Sequence, residues 1–170
     1  MDGGGVFRAV PKDPVDEMAV TVKKVGVIGS GQMGNGIAHV AALAGYDVVL
    51  SDVSADRMKS ALATINGNLS RQVAKGTITE DARKKALARI VTAESFDGFA
   101  DCDLVIETAV EKEEVKRKIF HDLCAVLKPE AIVASDTSSI SITRSQSARP
   151  SKVSLVAMRP SAALRASSVV

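Results

Sequence analysis

Val27-Ile-Gly-Ser-Gly-Gln-Met-Gly-Asn-Gly-Ile-Ala38 places four glycines within eight residues, directly after an apolar run and directly before a segment of helical spacing. A turn with so little side chain is either punctuation between two elements or a place where the backbone comes close to a ligand's phosphates. Gly29, Gly31 and Gly34 fit the pattern G-x-G-x-x-G, which is weak evidence when taken alone. Its surroundings carry the argument. Val25-Gly-Val-Ile28 reads as a short strand buried on both faces, and Gly34 to Ala44 carries small and apolar residues at helical spacing up to a stop at Gly45. Asp47-Val-Val-Leu50 reads as a second strand, with Asp52 at its end, about 20 residues beyond the glycines.

In that setting each residue has a physical task. Gly29 permits the sharp turn, Gly31 lets a pyrophosphate approach the backbone, and Gly34 lets the helix pack close to the strand. The helix N-terminus faces the negative phosphates, and Gln32 and Met33, just before Gly34, are counted among the cofactor-binding residues. Asp52 accepts hydrogen bonds from the adenosine ribose. A carboxylate there repels a 2'-phosphate, and Val53 and Ser54 bring no cation to hold one, so the expected cofactor is NAD rather than NADP.

Further along, Ser54 is placed to cap a long helix to about Ala74, and Thr79-Glu-Asp opens another, the two forming a hairpin around Lys75-Gly76. Strands are predicted at Ile90-Val-Thr92, Leu104-Val-Ile106 and Ala131-Ile-Val-Ala134. A helix from Glu111 to Leu127 carries Ile119, Phe120, Leu123 and Leu127 on one face. Strands alternating with helices of this length imply an α/β fold, a doubly wound, Rossmann-type, mostly parallel sheet with a helical hairpin insertion.

The chain's 170 residues suit one folded unit. Hydrophobic residues at 46% and charged residues at 25% are the balance of a globular protein. A net charge of +2 with five aromatics argues against a nucleic-acid surface, and no apolar run approaches the roughly 20 residues of a membrane span. Residues 1–20, with two prolines and three glycines, read as a flexible tail, in which Met18 is a candidate second start beside Met1. The first residues lack a secretory signal, and two cysteines without clustered spacing suggest reduced packing residues, not a metal site; a cytoplasmic setting is expected.

Three ordered segments carry a resemblance: Lys24-Val-Gly-Val-Ile-Gly-Ser-Gly-Gln-Met-Gly-Asn-Gly-Ile-Ala-His39, Asp103-Leu-Val-Ile-Glu-Thr-Ala-Val-Glu111 and Ser135-Asp-Thr-Ser-Ser-Ile140. Over about residues 22 to 144 the chain resembles the NAD-binding domain of 3-hydroxyacyl-CoA dehydrogenases, the bacterial 3-hydroxybutyryl-CoA enzymes above all. The resemblance implies that Gly29, Gly31, Gly34 and Asp52 bind NAD, that Glu111 and Lys116 lie near its nicotinamide side, and that Ser138 contacts the 3-oxygen of an acyl-CoA substrate. The hairpin between about residues 54 and 89 would touch the CoA moiety. In this family a histidine in a Gly-x-His-Phe-x-Asn-Pro segment, paired with a glutamate, removes the hydroxyl proton, and an all-helical C-terminal domain supports a homodimer.

The chain departs from that pattern after Arg144. Residues 145–170 contain no Asp, Glu or aromatic residue, show no confident helical face or strand alternation, and no histidine follows His121. The expectation is an out-of-frame tail; a natural truncation and a genuine tail that folds on a partner are the alternatives. On this reading the domains are 1–20, 21–144 and 145–170, and the chain as written lacks its general base. Asp136 stands where the family usually has Asn, exchanging an amide donor for a charge.

His39 and His121 read as structural or surface residues, and Glu111-Lys-Glu-Glu-Val-Lys-Arg-Lys118 as a solvated face apart from Glu111 and Lys116. Ser138 and Ser139 would otherwise be simple turn residues. The alternative functions are a non-catalytic NAD-binding module with a partner-binding tail, and a dehydrogenase of the same fold acting on small acids without CoA.

Overall fold

The computed structural model of the protein describes residues 21–109 and 112–136, together with the backbone of 154–157. The reading of residues 1–20 and the assignments of Glu111 and Ser138 lie outside the described residues. Six strands form one sheet, β1 (Lys24–Ile28), β2 (Asp47–Ser51), β3 (Ile90–Thr92), β4 (Leu104–Glu107), β5 (Ile132–Ser135) and β6 (Ser154–Ala157), in the order 3-2-1-4-5-6. Every pairing is parallel. The helices are α1 (Gln32–Leu43), α2 (Ala55–Ala74), α3 (Glu80–Ala88) and α4 (Glu113–Val126).

The strands are short and apolar because both faces of the sheet are covered. Val25, Val27, Val48 and Leu50 pack in one core with Ala38 and Ala42 of α1 and Ile65 and Leu69 of α2. Ile28, Val49, Val105 and Val133 pack in a second core with Phe99 and with Phe120 and Leu123 of α4. Ile119 is half-buried against the second core, and Leu127 is buried in it, so the predicted apolar face of α4 is the packed face. Phe99 lies over β1 so closely that a Cβ on Gly26 would fall 2.4 Å from its ring.

Thr79 caps α3 as expected, its hydroxyl accepting from the Ala82 N–H at 3.1 Å. Ser54 occupies the cap position of α2 in extended conformation, but its side chain makes no capping hydrogen bond. Two expectations need correction. The helix placed from Glu111 begins at Glu113, because Lys112 is still extended. The tail, read as lacking strand alternation, contributes β6, which pairs with β5 from Ile132↔Ser154 to Ser135↔Ala157. Four residues on the edge of a sheet are too few for an alternation to register. A single 3-10 turn at Phe96–Phe99 was also missed, being shorter than any periodic signal.

Asp103 anchors the start of β1 to the start of β4. Its Oδ2 accepts from the backbone N–H groups of Lys23 and Lys24 at 2.7 and 2.8 Å, and Lys128 reaches its Oδ1. Burial alone would raise its pKa, but Lys128 and the two amides outweigh that and bring the carboxyl down to about 2. A carboxyl depressed in the folded state adds stability that is fully present above its ordinary value of 3.8 and is lost as pH falls toward about 2. Urea unfolding at stepped pH should therefore show stability falling through that window, with a shallower fall in Asp103→Asn; identical slopes would remove this assignment.

Candidate functional site

The register lines up Ser51, Ile28, Glu107 and Ser135 in one row across the sheet at its carboxyl edge. Strand order reverses beside β1, and a crevice at such a reversal is where open parallel sheets bind ligands. The glycine turn lies at that point. Gly29 has φ +95°, a conformation open to glycine and strained for other residues, and its N–H donates to Ser51 O at 2.8 Å. A Cβ on Gly34 would lie 1.8 Å from Gly29 O, so only glycine lets α1 begin this close to β1. Gly31 is different. Nothing lies within 4 Å of where its Cβ would be, and no side chain caps the first turn of α1, which holds no acidic residue. Gln32 and Met33 are exposed in that turn. The arrangement leaves an open backbone cradle at a helix N-terminus, where an anion is favoured.

Thr108, at the end of β4, supports the turn from below. Its hydroxyl donates to Ile28 O or Gly29 O, at 3.0 and 3.2 Å, and its N–H donates to Ile28 O at 2.8 Å. Asp52 braces the other side. Its Oδ2 accepts from both N and Oγ of Ser30 at 2.7 Å each, and its Oδ1 accepts from Val53 N at 2.8 Å and faces the Arg57 guanidinium at 3.6 Å. Burial pushes the Asp52 pKa up, yet the Ser30 and Val53 hydrogen bonds together with Arg57 hold it below the usual carboxylate value. A cleft of about 480 Å³ opens here, lined by Ser30, Gly31, Gln32, Asp52, Arg57 and Thr64 among others. The cradle and the carboxylate thus fit the pyrophosphate and ribose of a dinucleotide.

A second cluster lies at the ends of β4 and β5. Lys116 is buried in α4, with its Nζ 2.9 and 2.7 Å from the two oxygens of Glu107 and 3.3 Å from Ala109 O. Ser135 Oγ donates to Glu107 Oε2 at 2.7 Å, and the Ala109 N–H donates to Oε1 at 2.6 Å. Glu107 and Ser135 are fully enclosed. Lys116 thus stands apart from its solvated neighbours, where Arg117 pairs with Glu113 and Lys118 with Asp122 four residues away. Its three donors meet three protein acceptors, so in this structure the lysine ties α4 to the carboxyl edge of the sheet.

Sequence reasoning found the glycines and Asp52 but missed Ser30, Arg57, Glu107 and Thr108. Ser30, Glu107 and Thr108 fell inside quoted motifs without roles of their own. His39 is buried in α1, while His121 is exposed beside Asp122, 3.2 Å away, so neither lines the cleft. No disulfide joins Cys102, which is buried and whose thiol burial pushes up to about 11, to Cys124. Among the described residues no cluster of His, Cys, Asp or Glu could hold a metal, and no helix is long and apolar enough to cross a membrane.

Residues 24–163 match the family model described as "3-hydroxyacyl-CoA dehydrogenase, NAD binding domain". The chain belongs to that family. Its glycine turn and Asp52 lie within the matched residues. Over 127 residues it is 81% identical to a 3-hydroxybutyryl-CoA dehydrogenase of Bradyrhizobium diazoefficiens, covering 75% of this chain and 43% of that protein. It resembles the crystal structure of (S)-3-hydroxybutyryl-CoA dehydrogenase from Ralstonia eutropha, with TM-score 0.72 and 38% identity over 76% of this chain and 46% of the other. A 3-hydroxybutyryl-CoA dehydrogenase from Escherichia coli K12 gives TM-score 0.76 and 38% identity over 79% and 29%. The chain thus spans less than half the length of these relatives. The family match runs past Arg144 and takes in β6.

Two measurements separate the roles of these residues. Gly31→Ala should leave thermal unfolding unchanged and weaken NADH binding at least about tenfold, since its new methyl fills only the open cradle. Gly34→Ala should lower the melting temperature sharply; equal effects of both substitutions on folding would contradict the division. Lys116→Met leaves Glu107 buried without its counter-charge and should cost about 3–5 kcal/mol, most of it recovered in the double variant with Glu107→Leu. A double-variant cycle in denaturant measures that coupling, and additive losses would dissolve the pair.

Proposed function

We propose that this chain is the cofactor-binding part of an NAD-dependent 3-hydroxyacyl-CoA dehydrogenase acting on a short acyl-CoA of the 3-hydroxybutyryl type. The observation that carries the reading is the open cradle at Gly31 facing Asp52, within a chain 81% identical over 127 residues to a 3-hydroxybutyryl-CoA dehydrogenase. Gly29, Gly31, Gly34 and the exposed first turn at Gln32 and Met33 would hold the pyrophosphate, and Asp52 the adenosine ribose. NAD, when bound, supplies the acceptor for the hydride leaving C3 of the substrate. The family resemblance assigns Glu111 and Lys116 to the nicotinamide side and Ser138 to the substrate oxygen.

The residues of this chain bind and orient the cofactor. The Glu107–Lys116–Ser135 cluster fixes the ends of β4 and β5 at the carboxyl edge of the sheet. Proton removal from the hydroxyl needs a base near C3. Neither His39, enclosed in α1, nor His121, exposed on α4, is suited to that work. The 170-residue chain therefore binds NADH and acyl-CoA without turning over at the rate of a complete enzyme, since a general base contributes typically about 10² to 10⁴ in rate. The hairpin of α2 and α3 supplies the CoA contacts on this reading.

Fluorescence titration with NADH, followed by an acetoacetyl-CoA assay, tests the reading. Saturable NADH binding with slow or undetectable turnover is the expected result. Binding that acetoacetyl-CoA leaves unaltered would favour a module that holds the cofactor alone, and absence of NADH binding would overturn the proposal.

A further inference from the structure

Two peptide groups carry the chain out of β1 toward the open cradle at Gly31, and each is held at both ends. The Ile28–Gly29 peptide donates its N–H to Ser51 O of β2 at 2.8 Å, and its carbonyl accepts from the Thr108 N–H at 2.8 Å. The Gly29–Ser30 peptide donates its N–H to Asp52 Oδ2 at 2.7 Å, and its carbonyl lies 3.2 Å from the Thr108 hydroxyl. Ser51 and Asp52 thus hold the N–H ends, and Thr108 holds the carbonyl ends. The hydroxyl has one proton to give, to Ile28 O at 3.0 Å or to Gly29 O. Ile28 O already receives the Thr108 amide, so Gly29 O is the carbonyl that depends on the side chain. The same oxygen sits at the contact of α1 with β1, where a Cβ on Gly29 or on Gly34 would fall 2.8 Å from it. Thr108 also has a firm footing. Its neighbour Ala109 donates to Glu107 Oε1 at 2.6 Å and accepts from Lys116 Nζ at 3.3 Å, both members of the buried ion pair.

We propose that Thr108 is a positioning residue for the dinucleotide phosphates: its hydroxyl fixes the Gly29–Ser30 peptide plane, and so the path of the backbone into the cradle, before the cofactor arrives. The proposal rests on the crevice being a dinucleotide site. A phosphate cradle gives its full attraction only if its N–H groups are aimed before binding, because any reordering is subtracted from the affinity. Gly29, with φ +95°, has a wide choice of backbone conformations, and a glycine does not choose among them by itself. The choice is made from outside the turn. Asp52 makes part of it but lines the cleft and must also receive the ribose, whereas Thr108 stands outside the cleft lining and acts on the turn from below.

The test compares the full chain with its Thr108→Val and Thr108→Ser variants. It measures NADH affinity by nicotinamide fluorescence, ADP-ribose affinity by displacement of NADH, and thermal unfolding without ligand. Thr108→Val keeps the shape and removes the hydroxyl, while Thr108→Ser keeps the hydroxyl and removes a methyl group. Both variants should melt below the parent, but only Thr108→Val should lose NADH affinity, by about tenfold. ADP-ribose, which has the pyrophosphate and no nicotinamide, should weaken by the same factor, and Thr108→Ser should stay within about threefold of the parent for both ligands. The role of Thr108 is overturned if Thr108→Val binds NADH as the parent does, if affinity simply follows melting temperature through both variants, or if the loss is confined to NADH. If the parent binds neither ligand, the dinucleotide reading falls and this proposal falls with it.

Discussion

The approach of α1 to β1 is the constraint on which the rest of the structure depends. A helix can start this close to the strand only because Gly34 offers no Cβ to the carbonyl of Gly29, 1.8 Å from where that carbon would be. The same closeness puts Thr108 beneath the turn and lets Asp52 reach Ser30 from β2. Three elements far apart in sequence are thereby locked around a few glycines. The binding cradle is what remains above that contact, and its openness at Gly31 follows from the tightness at Gly34.

The carboxyl edge of the sheet is held by another kind of force. Removing Glu107 and Lys116 from water is costly, and their attraction offsets that cost only with good geometry and every remaining polar position filled. Here Ala109 and Ser135 complete the set. An apolar pair could be equally stable, but it would not fix the ends of two strands and the start of a helix in one relative position. The surface pairs of α4, such as Arg117 with Glu113, are exposed and contribute at most a few tenths of a kcal/mol each.

Much of the fold was legible because its signals are local. Continuous apolar runs marked β1 to β5, the N-cap residue Thr79 and the acidic first turn of α3 marked a helix start, and Gly45 and Gly76, both with positive φ, marked helix ends. The glycine pattern and Asp52 were legible because their spacing is fixed by the chain itself. Long-range pairings escaped. Glu107 meets Ser135 across 28 residues, and periodicity alone does not say which cation of α4 turns inward: only the resemblance held Lys116 apart, and its pairing with Glu107 went unread. Arg57 was overlooked for a similar reason: the search for a cation stopped at the strand end, whereas a helical turn folds back over it. β6 eluded the reading because an edge strand of four residues carries too little pattern.

The order 3-2-1-4-5-6 also has a consequence for how the chain acquires its shape. β1 pairs with β2 early in synthesis, but its other edge waits for β4, some 80 residues further along. During that interval the hairpin of α2 and α3 and the strand β3 must emerge, and β1, whose Val25, Val27 and Ile28 end up buried, presents an open row of backbone donors and acceptors. Distant parallel pairings of this kind are slow to form, and unpaired apolar edges invite association with other chains. The central position that makes β1 the floor of the binding crevice thus also makes it the sticky edge of the half-made protein.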